Sequence, residues 1–316
     1  MISFRPFLNS DPPGIVEIWR SQAPERGLMQ PLSIDLLDTY VFSKPYFDRQ
    51  GLIMALDGST PVGFGHASFG PNEAGSGIST DWGVISLVMV RPNYQRQGIG
   101  AELVNRLEAY LQERGAKVLY AGGIRPLNGF YLGLYGGSEL PGVLDSGPRA
   151  GQLFASTGYR EIDRTAVLHR DLLSFRAPID RQQIVIRRRC SLRVICDPPP
   201  QSWWEACTLG PFDLTRFDLV ANQGRARLAT AMFWNLQPLA SSWGVHAAGL
   251  IDLEVVEDQR RQGLATYLLS ESFRYLAQQG YALVEAQTMQ ANTAARQLYA
   301  KLGFQQVDQG RVLRKE

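Results

Sequence analysis

The sequence predicts an α/β protein made of two tandem domains of one fold, and three observations carry that prediction. The first is size: 316 residues with 45% hydrophobic content is about twice the rough 150-residue length of one domain, so two cores can be buried. The second is a self-similarity. Val88-Met89-Val90-Arg91-Pro92-Asn93-Tyr94-Gln95-Arg96-Gln97-Gly98-Ile99-Gly100 is echoed by Leu253-Glu254-Val255-Val256-Glu257-Asp258-Gln259-Arg260-Arg261-Gln262-Gly263-Leu264-Ala265, an offset of 165 residues. At that offset Leu103 falls on Leu268, Val104 on Leu269, Leu111 on Leu276 and Gly115 on Gly280. The register therefore holds through a whole helix, and a period of about half the chain excludes a solenoid of short repeats. The third is local order, the same in both copies: an apolar strand, a polar loop ending in glycine, an amphipathic helix, a stop glycine and a second strand.

In the first copy Leu103, Leu107, Tyr110 and Leu111 make one apolar stripe at helical spacing, and Gly115 ends the helix. In the second, Leu268, Leu269, Phe273 and Leu276 do the same before Gly280. The flanking strands run from Val84 to Val90 and Lys117 to Tyr120 in copy one, and from Ala248 to Val256 and Tyr281 to Ala286 in copy two. Strands joined through a helix should lie parallel. A strand from Thr165 to Arg170 closes the first copy and another, Ile184 to Arg188, opens the second. The Ala177-Pro178 region between them sets the domains at 1–178 and 182–316. The spacing from Gly98 to Gly158 exceeds that from Gly263 to Gly303 by about 20 residues, which places an insertion near 128–150. Its glycines and aromatics, Phe130 to Gly142, suit either a mobile loop over a pocket or a surface excursion.

Composition narrows the function. Lys+Arg exceeds Asp+Glu by 2 and charged residues are 20% of the chain, which fits neither a disordered acidic chain nor a strongly basic nucleic-acid binder. The cluster Arg187, Arg188, Arg189 and Arg193 does not indicate nucleic acid, because alternation within a strand exposes only some of these residues and the net charge is small. No window approaches the roughly 18 apolar residues of a spanning helix, and the start has no charged leader before an apolar stretch. The expectation is a cytoplasmic protein with neither membrane nor nucleic-acid partner. Cys190, Cys196 and Cys207 lack zinc-ligand spacing, and His66, His169 and His246 form no metal constellation, so no metal is expected. His66 and His246 are core histidines first and bases near an acceptor second, whereas His169 should face solvent.

The loop Gln95 to Gly100 has what an anion site at a helix start requires: small residues that admit a close approach, and unpaired N–H groups of the first turn. It lacks the Lys-Ser/Thr of a P-loop and the glycine pattern of a dinucleotide fold. The motif Gln/Arg-x-x-Gly-x-Gly/Ala, after a strand and opening a helix, resembles the acyl-CoA pyrophosphate loop of the GNAT superfamily of N-acetyltransferases. Copy two adds Asn292-Thr293-Ala294-Ala295-Arg296-Gln297-Leu298-Tyr299-Ala300-Lys301-Leu302-Gly303-Phe304, similar to the family's later helix and following strand.

This resemblance implies two GNAT-like domains, each a mixed, centrally splayed sheet flanked by helices. It also implies acetyl-CoA as cosubstrate and direct attack by a primary amine acceptor in a ternary complex. The cosubstrate is expected on Gln95, Arg96, Gln97, Gly98, Ile99 and Gly100 with strand residues Val88 and Val90. In copy two the counterparts are Arg260, Arg261, Gln262, Gly263, Leu264 and Ala265 with Val255 and Asn292. Tyr299 occupies the place of the family's thiolate-protonating tyrosine. Glu254, alternating with Val255 on its strand and sharing a face with Asp252, is the candidate base. Copy one has Met89 in place of Glu254, Phe154 in place of Tyr299 and Gly147 in place of Asn292. Copy two is therefore the expected catalytic copy. Turnover in copy one with copy two as a brace stays open, as does an acyl-CoA-binding protein without turnover.

Overall fold

The computed structural model describes residues 1–178, 180–224 and 226–316. From the N-terminus the elements are β1 (Ile2–Pro6), α1 (Pro12–Arg20), α2 (Ile34–Leu37), β2 (Leu52–Asp57), β3 (Thr60–Pro71), β4 (Ile78–Val90), α3 (Ile99–Glu113), β5 (Val118–Ala121) and β6 (Val143–Leu144). There follow α4 (Pro148–Ser156), β7 (Arg160–Asp171), α5 (Arg181–Arg189), β8 (Cys190–Cys196), α6 (Trp203–Leu209), β9 (Leu214–Ala221) and β10 (Arg227–Asn235). The chain ends with α7 (Gln237–Trp243), β11 (Ala247–Val255), α8 (Leu264–Gln278), β12 (Leu283–Met289), α9 (Thr293–Lys301) and β13 (Gln305–Lys315). The contacts divide these elements into two compact units, and not at the boundary drawn from sequence. Unit 1 is Met1–Thr165 with Pro200–Pro211 and Gln309–Glu316; unit 2 is Ala166–Pro199 with Phe212–Asp308.

In unit 1, β1, β2, β3 and β4 pair antiparallel in that order. β5 then lies parallel to β4, through Trp82↔Val118 to Ile85↔Ala121. The end of β13 adds antiparallel beyond β5, with Leu313 opposite Ala121. In unit 2, β8, β9, β10 and β11 are antiparallel neighbours and β12 is parallel to β11, from Ala247↔Leu283 to Leu250↔Ala286. Both sheets are thus mixed, and both parallel pairs are joined by the amphipathic helix that the repeat announced. Leu103, Leu107 and Leu111 of α3 and Leu268, Leu269 and Phe273 of α8 are fully buried against their sheets. Each such side chain contributes roughly 1.5–3 kcal/mol of apolar burial.

Two segments depart from expectation. Ile184 to Arg188, a β-branched run read as a strand, lies inside helix α5. The Asp180 carboxylate caps it by accepting the Gln183 N–H at 2.8 Å, and this capping outweighs strand propensity. The strand begins only at Cys190, so Arg187, Arg188 and Arg189 occupy the last turn of α5, where the helix dipole favours cations. The insertion is not a surface excursion. Phe130, Tyr131, Leu132, Leu134 and Leu140 are buried, and Leu28 bridges to Tyr135 while Met29 N donates to the Leu134 carbonyl at 2.9 Å. The inserted chain is part of the interior of unit 1.

The feature that matters for function is where the parallel pairs stop. β4 runs to Val90 but leaves β5 after Ile85, and a bulge at Ser86 shifts its register on β3. β11 likewise runs to Val255 but leaves β12 after Leu250, with the bulge at Ile251. In unit 1 the parting follows from Gly122, which ends β5 at φ +77°. A Cβ there would stand 2.6 Å from the Gly142 carbonyl carbon. Gly122→Ala should therefore lower unfolding stability by about 1–3 kcal/mol, the usual cost of backbone strain, read as a reduced urea midpoint with an unchanged m-value.

Candidate active site

Each glycine loop is set by the same backbone in both units. Arg96 and Arg261 adopt φ +62° and +61°, and Gly98 and Gly263 adopt +81° and +76°, a left-handed conformation that glycine enters without steric cost. Each of these glycines is the N-cap of its long helix and carries no side-chain cap. The first-turn N–H groups accordingly converge on one point, as in an anion-binding nest. The polar side chains of the loop serve its shape. Gln95 Nε2 donates to the Val90 carbonyl at 2.9 Å and Arg260 Nε to the Val255 carbonyl at 3.1 Å. Gln97 Nε2 reaches the Asn93 carbonyl and Gln262 Nε2 the Asp258 carbonyl. Ile99 and Leu264 are buried anchors whose backbone alone faces the nest.

In unit 1 the nest opens onto a cavity of about 550 Å³, bordered by Ser86 to Val90 of β4, by Gly98 and Gly100, and by α4. Beyond Ile85, β4 has no strand partner on that side among the described residues, so its backbone from Ser86 onward forms a wall. Gly100 is small for a reason: a Cβ there would meet Leu153 of α4 at 3.2 Å. Across the mouth, Arg149 of α4 donates to Gln95 Oε1 at 2.9 Å and Arg96 to Gln152 Oε1 at 3.2 Å. Two guanidinium groups thus stand beside a nest of N–H donors, an arrangement matched to phosphate oxygens. A Cβ added at Gly98 would meet nothing within 4 Å, so the nest has room for a ligand. Among the described residues that line the cavity, Glu25 is the one carboxylic acid and Tyr135 the one phenol. A long slot between parted strands, with an anion site at one end, fits a phosphorylated pantetheine chain.

Comparison with known proteins agrees with this geometry. The profile of the acetyltransferase (GNAT) family matches residues 14–135 and 189–304. The chain belongs to that family. Both copies are GNAT domains, and the protein is an acyltransferase. A sequence search of the curated proteins finds no match. Among solved structures, a tandem GNAT protein from the clavulanic acid biosynthesis pathway is similar at TM-score 0.69 and 16% identity, covering 100% of this chain and 98% of that one. A GCN5-related N-acetyltransferase from Sphaerobacter thermophilus gives 0.67 and 16%, over 100% and 95%. At such identity these likenesses bear on the fold alone. No helix among the described residues is long and apolar enough to cross a membrane, and no group of three or more His, Cys, Asp or Glu among them could hold a metal.

The second GNAT copy disposes its candidate residues differently. Helix α5 brings Gln182 and Gln183 onto the loop: a Cβ on Gly263 would meet Gln182 at 3.0 Å, and Gln183 Nε2 lies 3.4 Å from the Gly263 carbonyl. Asn292 spends its side chain on capping α9, where it accepts the Ala295 N–H at 3.1 Å. Tyr299 is buried in the apolar core, its ring 5.1 Å from Phe304. Glu254 is exposed on β11, while Asp252 is half-buried. The residues that sequence reasoning missed all belong to unit 1. Tyr135 and Glu25 lie in the insertion and after α1, where the two copies do not align, while Arg149 and Gln152 lie in α4 opposite Ala294 and Gln297 of the second copy.

The histidines also resolve. His169 does not face solvent: its Nε2 lies 2.8 Å from the fully buried Glu285 carboxylate, beside the Trp243 ring. His246 is exposed and not a core histidine; it stacks on Tyr281 and lies 3.3 Å from the Asn235 amide oxygen. His66 sits inside unit 1 with Nδ1 3.0 Å from the Tyr131 hydroxyl, and burial lowers its pKa to about 3, with Asp48 only partly opposing. Protonation of His66 thus favours the unfolded chain, so its contribution to stability is complete above about pH 6.5 and is lost as pH falls toward 3. Between pH 6.5 and 5 that loss amounts to about 2 kcal/mol. The pH dependence of the urea midpoint over this interval should be shallower in His66→Gln than in the unsubstituted protein.

Proposed function

We propose that the protein is an acetyl-CoA-dependent N-acyltransferase whose working site lies in unit 1. One observation carries this reading. In unit 1 the open nest, the unpartnered wall of β4 and the guanidinium groups of Arg96 and Arg149 share a cavity, whereas Gln182 and Gln183 cover the matching loop of unit 2. The pyrophosphate would rest on the N–H groups of Gly98, Ile99 and Gly100, and the pantetheine arm would extend along Ser86 to Val90. Cosubstrate bound this way presents its thioester where β4 and β5 part. A primary amine entering the same cavity is drawn as its ammonium form by the Glu25 carboxylate, gives up one proton to water, and then as the neutral amine attacks the thioester directly in a ternary complex. Holding both reactants in one slot supplies much of the rate by proximity. Unit 2 then acts as a structural copy.

A second reading keeps turnover in unit 2. Its support is Tyr299 within the family's later-helix motif; the burial of that ring beside Phe304 counts against it. A third, acyl-CoA binding without turnover, is supported by Phe154 at the acid position. A CoA-release assay of the full chain across a panel of small amines, amino acids and peptide N-termini separates binding from turnover and points to the acceptor. Calorimetry should give one equivalent of acetyl-CoA per chain. Gly98→Glu, which puts a carboxylate at the anion position, should abolish binding and CoA release, while Gly263→Glu should leave both near the wild-type level. Two equivalents, or release lost only in Gly263→Glu, would return the reaction to unit 2.

A further inference from the structure

Helix α5 has four arginines and no acidic residue. Its inward side is Gln183 and Ile186, which are buried. At 100° per residue, Arg181, Ile184, Val185 and Arg188 share an arc of about 100° on the opposite side, and all four are exposed. Ile184 and Val185 are exposed to 47% and 44%. Two apolar side chains thus stand in water between two arginines that are about 10 Å apart along the helix axis. Arg187 and Arg189 are exposed on the flanks. Among the described residues, none of these four guanidinium groups makes an ion pair or a side-chain hydrogen bond.

The stability of unit 2 does not account for this face. A cation in the first turn opposes the helix dipole, so Arg181 is unfavourable to α5. β-branched residues lower helix propensity, and Ile184 and Val185 gain little burial in return. The dipole favours the arginines of the last turn, yet they do not cap it. The Arg188 carbonyl accepts Asn222 Nδ2–H at 3.1 Å and the Arg189 carbonyl accepts Asn222 N–H at 2.8 Å. The adjoining acid, Asp180, is engaged by the Gln183 N–H and lies 3.8 Å from Lys301 Nζ.

We infer that the outward face of α5 is a docking surface for an anionic lipid bilayer. Charge complementarity calls for a polyanion, and the apolar pair selects which one. Guanidinium forks match lipid phosphates, while Ile184 and Val185 enter the boundary between headgroups and acyl chains, as on helices that lie in a membrane surface. A polynucleotide offers phosphates but leaves both apolar side chains without a partner, and α5 has no aromatic ring on which a base could stack. An acidic peptide would need a groove, whereas the outward face of a helix is convex. Cations clustered on such a helix strengthen binding to an anionic surface by about fivefold each. This is adsorption to one leaflet through side chains and needs no spanning segment. It concentrates the acyltransferase at a negatively charged membrane, reversibly and in a salt-dependent way.

The test floats the full chain with phosphatidylcholine vesicles made with and without phosphatidylglycerol. Wild type should float only with the anionic vesicles and be released at about 1 M salt, where the screening length falls to ~3 Å. Arg181→Gln/Arg188→Gln should weaken the partition about 30-fold, and Ile184→Gln/Val185→Gln about tenfold. Both double variants should keep or raise the urea midpoint, because glutamine suits a helix as well as arginine and better than isoleucine or valine. Flotation that is equal with both vesicle compositions, or unchanged in either variant, overturns the proposal. A urea midpoint lowered in step with flotation also overturns it and returns these side chains to the fold. Arginine-dependent binding of polyuridylate or polyglutamate, with no flotation, overturns the bilayer as the partner.

Discussion

Everything at the candidate site depends on two parallel strands that do not stay together. A parallel pair normally buries its backbone along its whole length, because unpaired amides in an interior are costly. Here β4 outruns β5 after Ile85, and β11 stops pairing with β12 after Leu250. The bulge one residue later, at Ser86 or Ile251, turns the continuing strand. The wedge so opened in unit 1 is lined by strand backbone from Ser86 to Val90. The glycine loop stands at one end of that wedge because the same strand delivers the chain to it.

The two copies show how one backbone design can be kept while its surroundings change. The left-handed residues, the tie from loop side chain to strand end and the long helix agree between Gln95–Glu113 and Arg260–Gln278. What differs is the neighbourhood. In unit 1 the side chains that α4 brings to the loop are Arg149, bonded to Gln95, and Gln152, bonded to Arg96. In unit 2 the side chains at the loop are the amides of Gln182 and Gln183, brought in by a helix whose start depends on one carboxylate, Asp180.

How much of this was legible in the sequence follows the range of the forces involved. The duplication, the two amphipathic helices and the parallel pairs were readable because helical periodicity and loop glycines are local signals. The family resemblance rested on those same signals. The helix from Arg181 to Arg189 was missed because Ile184-Val185-Ile186 has strand propensity, and the Asp180 cap received less weight. Tyr299 drew attention through its motif, yet its burial is a packing outcome that no spacing reveals. Glu25 and Tyr135 were invisible for a different reason: they come to border one cavity through backbone bonds between residues 27–29 and 134–136, a long-range pairing in the part of copy one that has no counterpart in copy two.

The segment Gln309–Glu316 counts with unit 1, and Gly310 and Arg311 pair with β6 while Arg311 meets Asp145. On the ribosome, that strand is synthesised after all of unit 2. The first domain to emerge must therefore wait, with the edge of β5 uncovered, until the second has been made, and exposed strand edges are where nascent chains misassemble. A rapidly folding second domain shortens that vulnerable interval. The single chain thus ties the two copies together in time as well as in sequence, and cutting it between them would leave the first without its closing strand.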